Sequence, residues 1–492
     1  MTEFFDVVVV GGGNAGFCAA HAARDEGARV LLLEKAPQQW AGGNTYFTAG
    51  AMRVSHGGLD DLAPVVEPLD PDRRSRTDLD PYPDEEFLAD LYRVTRGRTD
   101  PELARVLVED SRAAVDWLHG KGLRFELMYH RQAYPVGDRW RFWGGLAVGV
   151  VDGGKGMFAQ HLAGARAAGV EVRFGAHVTD LLRKGSDVVG VAVTTPDGPG
   201  EVHAGAIVLA SGGFEADPRM RAAHLGPGWD LALVRGTPYN TGDGLQMALA
   251  HGAQSYGHWS GCHSVAWDAG AATTGDRELT NQLTRGGYPF GIVVNARGER
   301  FLDEGADFRN YTYAKYGAEI LRQPGAVAVQ IFDAKSAPLL RAEEYQAPGT
   351  SRAEADTVDE LARRLGIDPD GLTRTVTSFN DVVSDDPFDP TVKDGKRTRD
   401  LAPPKSNWAQ PLDTPPFVGF PVTCGITFTF GGLRTDTHGR VLDTTGRAIP
   451  GLYAAGELLG GLFWFNYPGG SGLTAGAVFG RRAGHIAATD AR

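Results

Sequence analysis

The chain has 492 residues, 42% of them hydrophobic and 22% charged, a balance that suits a globular protein of two to four domains and excludes a mainly disordered chain. Lys and Arg number 49 against 61 Asp and Glu, a formal net charge of −12; this argues against nucleic acid as a partner, because phosphate contacts need clustered cations. Three scattered cysteines, Cys18, Cys262 and Cys424, argue against a disulfide framework and against a zinc site.

The start of the sequence carries no basic segment of the kind that opens a signal peptide. No apolar run approaches the roughly 20 residues of a bilayer span. The expectation is a cytoplasmic protein without an integral membrane segment. The 67 glycines are about twice the usual share. They follow no repeat, so they are expected where backbone approaches another group closely.

Residues 5–10 read Phe-Asp-Val-Val-Val-Val, a β-branched run that fits a strand buried on both faces of a parallel sheet. A glycine turn follows, then helical character over 17–26 and a second buried strand over 28–34, together a βαβ unit. Residues 59–86 are rich in Asp, Pro and Arg and are expected to form an exposed excursion, with Arg73, Arg74 and Arg76 solvated rather than binding an anion. Residues 87–122 read as helical, and 170–174, 188–194 and 206–210 as strands. Two short helices are predicted over 357–382, with Thr357 and Glu360 as a capping box and Asp368-Pro369 opening the second. Residues 383–416 are expected to be irregular, and 452–457 a last strand entering a glycine-rich stretch.

The strongest local signal is Gly11-x-Gly13-x-x-Gly16, with Asn14 and Ala15 inside it and Glu34 eighteen residues beyond the last glycine. One glycine permits the tight turn, the next lets backbone approach a pyrophosphate, and the third lets the helix pack on the strand. Helix N-terminal N–H groups bind phosphates, and an acid closing the second strand accepts from ribose hydroxyls. Glu34-Lys35 is followed by Gly42-Gly43-Asn44-Thr45. At the other end of the chain come Gly451-Leu-Tyr-Ala-Ala-Gly456-Glu457 and Pro468-Gly469-Gly470-Ser471-Gly472-Leu473. Glycine-rich segments at both ends suit one long cofactor held by both, FAD rather than NAD.

These pieces, with Ala210-Ser211-Gly212-Gly213-Phe214, Asn240-Thr241-Gly242-Asp243-Gly244 and Val294-Asn295-Ala-Arg-Gly298-Glu-Arg300-Phe301, resemble the flavoprotein family of fumarate reductases, succinate dehydrogenases, aspartate oxidases and 3-ketosteroid Δ1-dehydrogenases. Within it, residues 257–263, 307–316, 425–432 and 466–472 look most like the tricarballylate dehydrogenase branch. The resemblance implies an α/β fold with a Rossmann-type FAD-binding domain built from both chain ends, 1–255 and 429–492. It also implies an inserted α+β capping domain over 256–428. The cofactor ligands it implies are Gly11, Gly13, Asn14, Ala15, Gly16, Glu34, Lys35, Gly42, Gly43, Asn44, Thr45, Gly213, Asp243, Glu457, Ser471 and Leu473. No histidine stands at Thr45, where succinate dehydrogenases attach FAD, so non-covalent FAD is expected.

The resemblance further implies an oxidoreductase of CH–CH bonds acting on a small polycarboxylic acid, with a ketone or cyclic substrate, or the reductive direction, as alternatives. Arg309 matches the proton-transfer arginine of fumarate reductases, one position further along than in many relatives. Arg285 matches a substrate-side arginine, but Gln282 replaces the relay glutamate beside it. The substrate histidine of those enzymes would fall at Thr427 or Phe428 and is absent. Tyr467 replaces their second substrate arginine and resembles a ketosteroid dehydrogenase tyrosine that holds a substrate carbonyl. His263 matches a substrate-binding histidine, and His258, Tyr311, Tyr313 and Lys315 are weaker candidates. The chain carries no haem or iron–sulfur motif. The expected electron partner is therefore O₂, a quinone or an iron–sulfur membrane protein.

Overall fold

A computed structural model describes residues 3–492. Its first sheet is centred on strand Glu3–Val10, flanked in parallel by Val30–Glu34 and Gly198–Leu209. Glu171–Phe174 and Ala448–Ala454 extend it in parallel on the two sides. Val7, Val8 and Val9 are fully buried, as strands covered on both faces require. The strand read at 206–210 is the end of a longer one, Gly198–Leu209, whose outer half is exposed and pairs antiparallel with Asp187–Thr195. Gly, Pro, Glu and His in that half hide its strand character from the sequence.

Helix Asn14–Asp25 starts inside the glycine turn, earlier than its apolar pattern suggests. It lies along the C-terminal helix Ser471–Asp490. A Cβ on Gly480 would stand 2.5 Å from Ala15 O, so these two backbones meet without side chains between them. The N-terminal and C-terminal parts of the chain are thereby joined in one layer over the first sheet.

The second sheet is organised by the long strand Phe417–Leu433, which pairs with Ser255–Asp268, Val327–Phe332, Ala353–Ala355 and the short Leu233–Val234. Its strands thus begin before residue 256, and the long strand runs past 428. Helices Val358–Leu365 and Pro369–Asn380 pack under it. Thr357 Oγ1 accepts from Glu360 N, and the Asp368 side chain caps the second helix.

Residues 59–86 are only partly the expected excursion. Asp70 caps the turn Pro71–Ser75, and Val65 and Val66 are buried. Arg74 pairs with Asp60 at 2.7 Å and Arg76 with Asp72 at the surface. Residues 383–416 hold no helix or strand, and Trp408 anchors them at 2% exposure.

Candidate active site

A cavity runs from the first glycine turn, between the sheets, to the loops beneath the second sheet. At its first end, Gly11 has φ +110°, and a Cβ there would collide with Ala210 backbone. Gly13 caps helix Asn14–Asp25 and has no side chain of its own to accept from the first-turn N–H groups. Glu34 accepts from Gly12 N at 2.7 Å and Ala36 N at 2.8 Å. Burial pushes its pKa up, and those two N–H groups and Lys35 pull the other way. Lys35 Nζ bonds Asp243 at 2.7 Å, and His177 Nε2 lies 3.0 Å from the same carboxylate. Thr45 Oγ1 accepts from Asn14 N at 3.0 Å. Open helix N–H groups, a glycine cradle and a buried acid fit a dinucleotide pyrophosphate and ribose.

Of the expected cofactor ligands, Gly11, Gly13, Asn14, Ala15, Glu34 and Lys35 line this end of the cavity. Gly43, Asn44, Thr45, Asp243, Glu457 and Leu473 line it further along. Gly16, Gly42, Gly213 and Ser471 stand behind the wall. Gly16 lets the helix approach Gly11 O, Gly42 abuts Phe158, and Gly213 abuts Glu457 and Thr429. Ser471 Oγ donates to Pro468 O at 2.6 Å and fixes the turn before the C-terminal helix.

The far end gathers His263, Arg309, Tyr467, Tyr313 and Arg235. His263 sits where strand Ser255–Asp268 breaks register with Phe417–Leu433. Both of its ring nitrogens are buried without a partner. Burial and the Arg235 charge hold its pKa well below 6.5, so the ring is neutral. Tyr467 OH and Tyr313 OH form a short hydrogen bond. Burial raises both phenols, Tyr467 well above its usual value. Arg309, in the turn Arg309–Tyr311, approaches Glu344 at 3.4 Å and Arg131 O at 3.3 Å. Glu344 also receives Arg131 at 3.0 Å and Arg341 at 3.3 Å.

Arg285 does not reach the cavity. Its guanidinium pairs with Asp268 at 2.6 Å, with both side chains 0–1% exposed, and also bonds Glu344 O. The expected substrate-side arginine is a structural ion pair here. Its partner lies seventeen residues upstream at the end of strand Ser255–Asp268, which no local pattern discloses. His258 lies outside the cavity, stacked on Trp464 and accepting from Phe465 N at 3.0 Å. Tyr311 turns away to Arg53 and Asp90.

Arg235, Arg131 and Glu344 line the site without having been singled out in the sequence. Arg235 follows the short strand Leu233–Val234, held by its N–H to Ile426 O at 2.8 Å. Nothing but its eventual burial marks it, and a two-residue strand is too short to show a pattern.

The FAD binding domain family matches residues 6–473 of the chain. A fumarate reductase (cytochrome) of Shewanella frigidimarina is 31% identical over 488 residues, spanning 98% of this chain and 77% of that protein. The open conformation of a flavocytochrome c3 fumarate reductase superposes with a TM-score of 0.72 at 27% identity, over 99% of this chain and 79% of that one. A 3-ketosteroid Δ1-dehydrogenase from Sterolibacterium denitrificans shares the fold, with a TM-score of 0.74 at 21% identity over 99% of this chain and 100% of that one. The fold and cradle define an FAD-dependent oxidoreductase. The chain belongs to the FAD-binding flavoprotein family of fumarate reductases and succinate dehydrogenases.

Proposed function

We propose that the protein exchanges hydrogen across a carbon–carbon bond next to a carboxylate of a small polycarboxylic acid, tricarballylate-like in the desaturating direction. The observation that carries this reading is Arg235. It is 8% exposed, its Nη1 donates to Thr427 Oγ1 at 2.9 Å, and its Nε has no partner. No carboxylate pairs with it among the described residues. Burial pulls its pKa down, and the nearby Arg131 charge adds to that against the opposing pull of Tyr313, Tyr467 and Glu344. An isolated buried cation is costly, and a substrate carboxylate in the cavity supplies the missing counter-charge.

Bound FAD supplies the hydride exchange with one substrate carbon. Arg235 fixes one carboxylate. Neutral His263 offers an N–H to a substrate oxygen and steadies the charge that develops on it. Arg309, the cation opposite, holds or moves the proton at the neighbouring carbon. The Phe428 and Phe463 rings beside Tyr467 keep water from the reacting face.

The relatives named as fumarate reductases support the same site working reductively, with the electron partner setting direction. O₂, a quinone or an iron–sulfur membrane protein fits a chain without its own haem or cluster motif. One observation favours a ketone substrate instead: the Tyr313–Tyr467 hydroxyl pair can hold a carbonyl oxygen. Substitution separates the readings. Arg235→Met should keep FAD and raise KM for a polycarboxylate about thirtyfold or more, the cost of removing one partner of a desolvated charge pair. An unchanged KM removes Arg235 from substrate binding.

A further inference from the structure

At the cavity wall two carboxyl groups face each other, Glu457 lining the cavity and Glu215 behind it. Glu215, just past the Gly212-Gly213 turn, is fully buried. Its Oε1 accepts from Asn44 Nδ2 at 2.6 Å and from Asn240 Nδ2 at 2.7 Å. Its Oε2 is buried and receives no donor, and its neighbour is the Glu457 carboxyl. Glu457 Oε1 accepts from Thr429 N at 2.7 Å and Thr429 Oγ1 at 3.0 Å, and Glu457 lines the cofactor cavity.

The charged and titratable groups around the pair do not neutralise it. Arg221 Nη1 is spent on Glu215 O at 2.6 Å, the backbone carbonyl. Cys262, from strand Ser255–Asp268, faces Glu215 as a buried thiol whose pKa burial raises further. Among the described residues neither carboxyl forms an ion pair with a lysine, arginine or histidine. Two adjacent buried carboxylates without a counter-ion cannot both stay ionised. The bonding pattern also says where the proton sits. An oxygen with two N–H donors is the carbonyl-type oxygen, and a buried oxygen with none is the hydroxyl.

We propose that Glu215 and Glu457 form a one-proton pair: Glu215 Oε2 carries the proton and donates it to Glu457, holding Glu457 as the carboxylate that faces the cofactor. Glu215 is then a positioning residue for Glu457 and does not itself touch the cofactor. The proton stays on the pair at neutral pH and passes to solvent water only at alkaline pH, leaving two repelling carboxylates.

Burial raises both groups, Glu215 also through its neighbour's charge. The native state therefore keeps a proton that unfolded glutamate loses near its ordinary pKa. The pair's contribution to stability is full below that pKa and is lost as pH rises through the folded value. Glu215→Gln puts an amide N–H donor in place of the carboxyl O–H, without a titrating proton.

The test is urea unfolding of the FAD-loaded protein and its Glu215→Gln variant between about pH 5 and about pH 8, beside infrared spectra of both. The unfolding constant of the natural protein, relative to the variant, is expected to rise about tenfold per pH unit. The natural protein shows a protonated-carboxyl C=O band at neutral pH that Glu215→Gln lacks. A pH-independent ratio, or a band that persists in the variant, overturns the pair. Should Glu215→Gln fail to fold, Glu457→Gln and the infrared titration of the natural protein decide the same point: no protonated carboxyl, no pair.

Discussion

Two arginines that resemble family site residues have opposite surroundings. Arg309 has 13% side-chain exposure and opens on the cavity beside Glu344, while Arg285 is sealed against Asp268. Arg309→Lys keeps the charge and loses the planar fork. It is expected to retain FAD while turnover falls by orders of magnitude, read by steady-state kinetics; an unaffected rate would remove Arg309 from the chemistry. Arg285→Met leaves Asp268 buried and unpaired. It should cost about 3–5 kcal/mol in denaturant unfolding, and the fraction that remains folded should still bind FAD. Arg309 and Arg285 were both visible as candidates, but which of them faces the cavity depends on a partner distant in sequence. Arg235 was invisible for the same reason: isolation in a low-dielectric pocket is a property of the fold and leaves no local mark.

At the scale of elements, the legible parts were those whose reasons are local. The valine-rich first strand, the glycine turn, Glu34 closing the next strand and the two capped helices Val358–Leu365 and Pro369–Asn380 all carry their cause within a few residues. Asp368→Ala removes an N-cap and should cost about 1 kcal/mol by thermal or denaturant unfolding. Gly16→Ala drives a Cβ into Gly11 O. It is expected to lower FAD retention in equilibrium dialysis far more than an alanine at an open helical glycine such as Gly120. Equal retention would mean that the helix can shift away from the turn. The strand Phe417–Leu433 was not legible as one element, because Pro421, Gly425 and Gly431 interrupt its apolar run. The glycines are there because the Trp267 and Trp259 side chains lie where a Cβ would go, 2.7 and 2.6 Å from it. That need arises only once the sheets are assembled.

Across the whole molecule, several histidines are buried in neutral form. Burial lowers His21 and His56 to about 4. His161 and His263 are held well below 6.5, the first by burial and His21, the second by burial and Arg235. The unfolded chain protonates these rings near pH 6.5 and the native protein does not. Stability should therefore fall as pH drops from about 6.5 towards 4, by up to about 1.4 kcal/mol per pH unit for each ring. Urea midpoints across that range check this; a flat profile would mean the rings are protonated in the native state. The acid loss is opposite in sign to the Glu215–Glu457 contribution, which falls as pH rises.

Both ends of the chain meet at one sheet, a second sheet lies over it, and the cavity between them ends in Arg235, Arg309 and a neutral histidine. The most direct measurement is anaerobic titration of the FAD-loaded protein with tricarballylate, succinate, citrate analogues and cyclic ketones, following flavin absorbance. Bleaching by a polycarboxylic acid, abolished in Arg309→Lys and weakened in Arg235→Met, is the expected result. Bleaching by a cyclic ketone alone, with both arginine variants behaving like the natural protein, would contradict an anion-binding catalytic site.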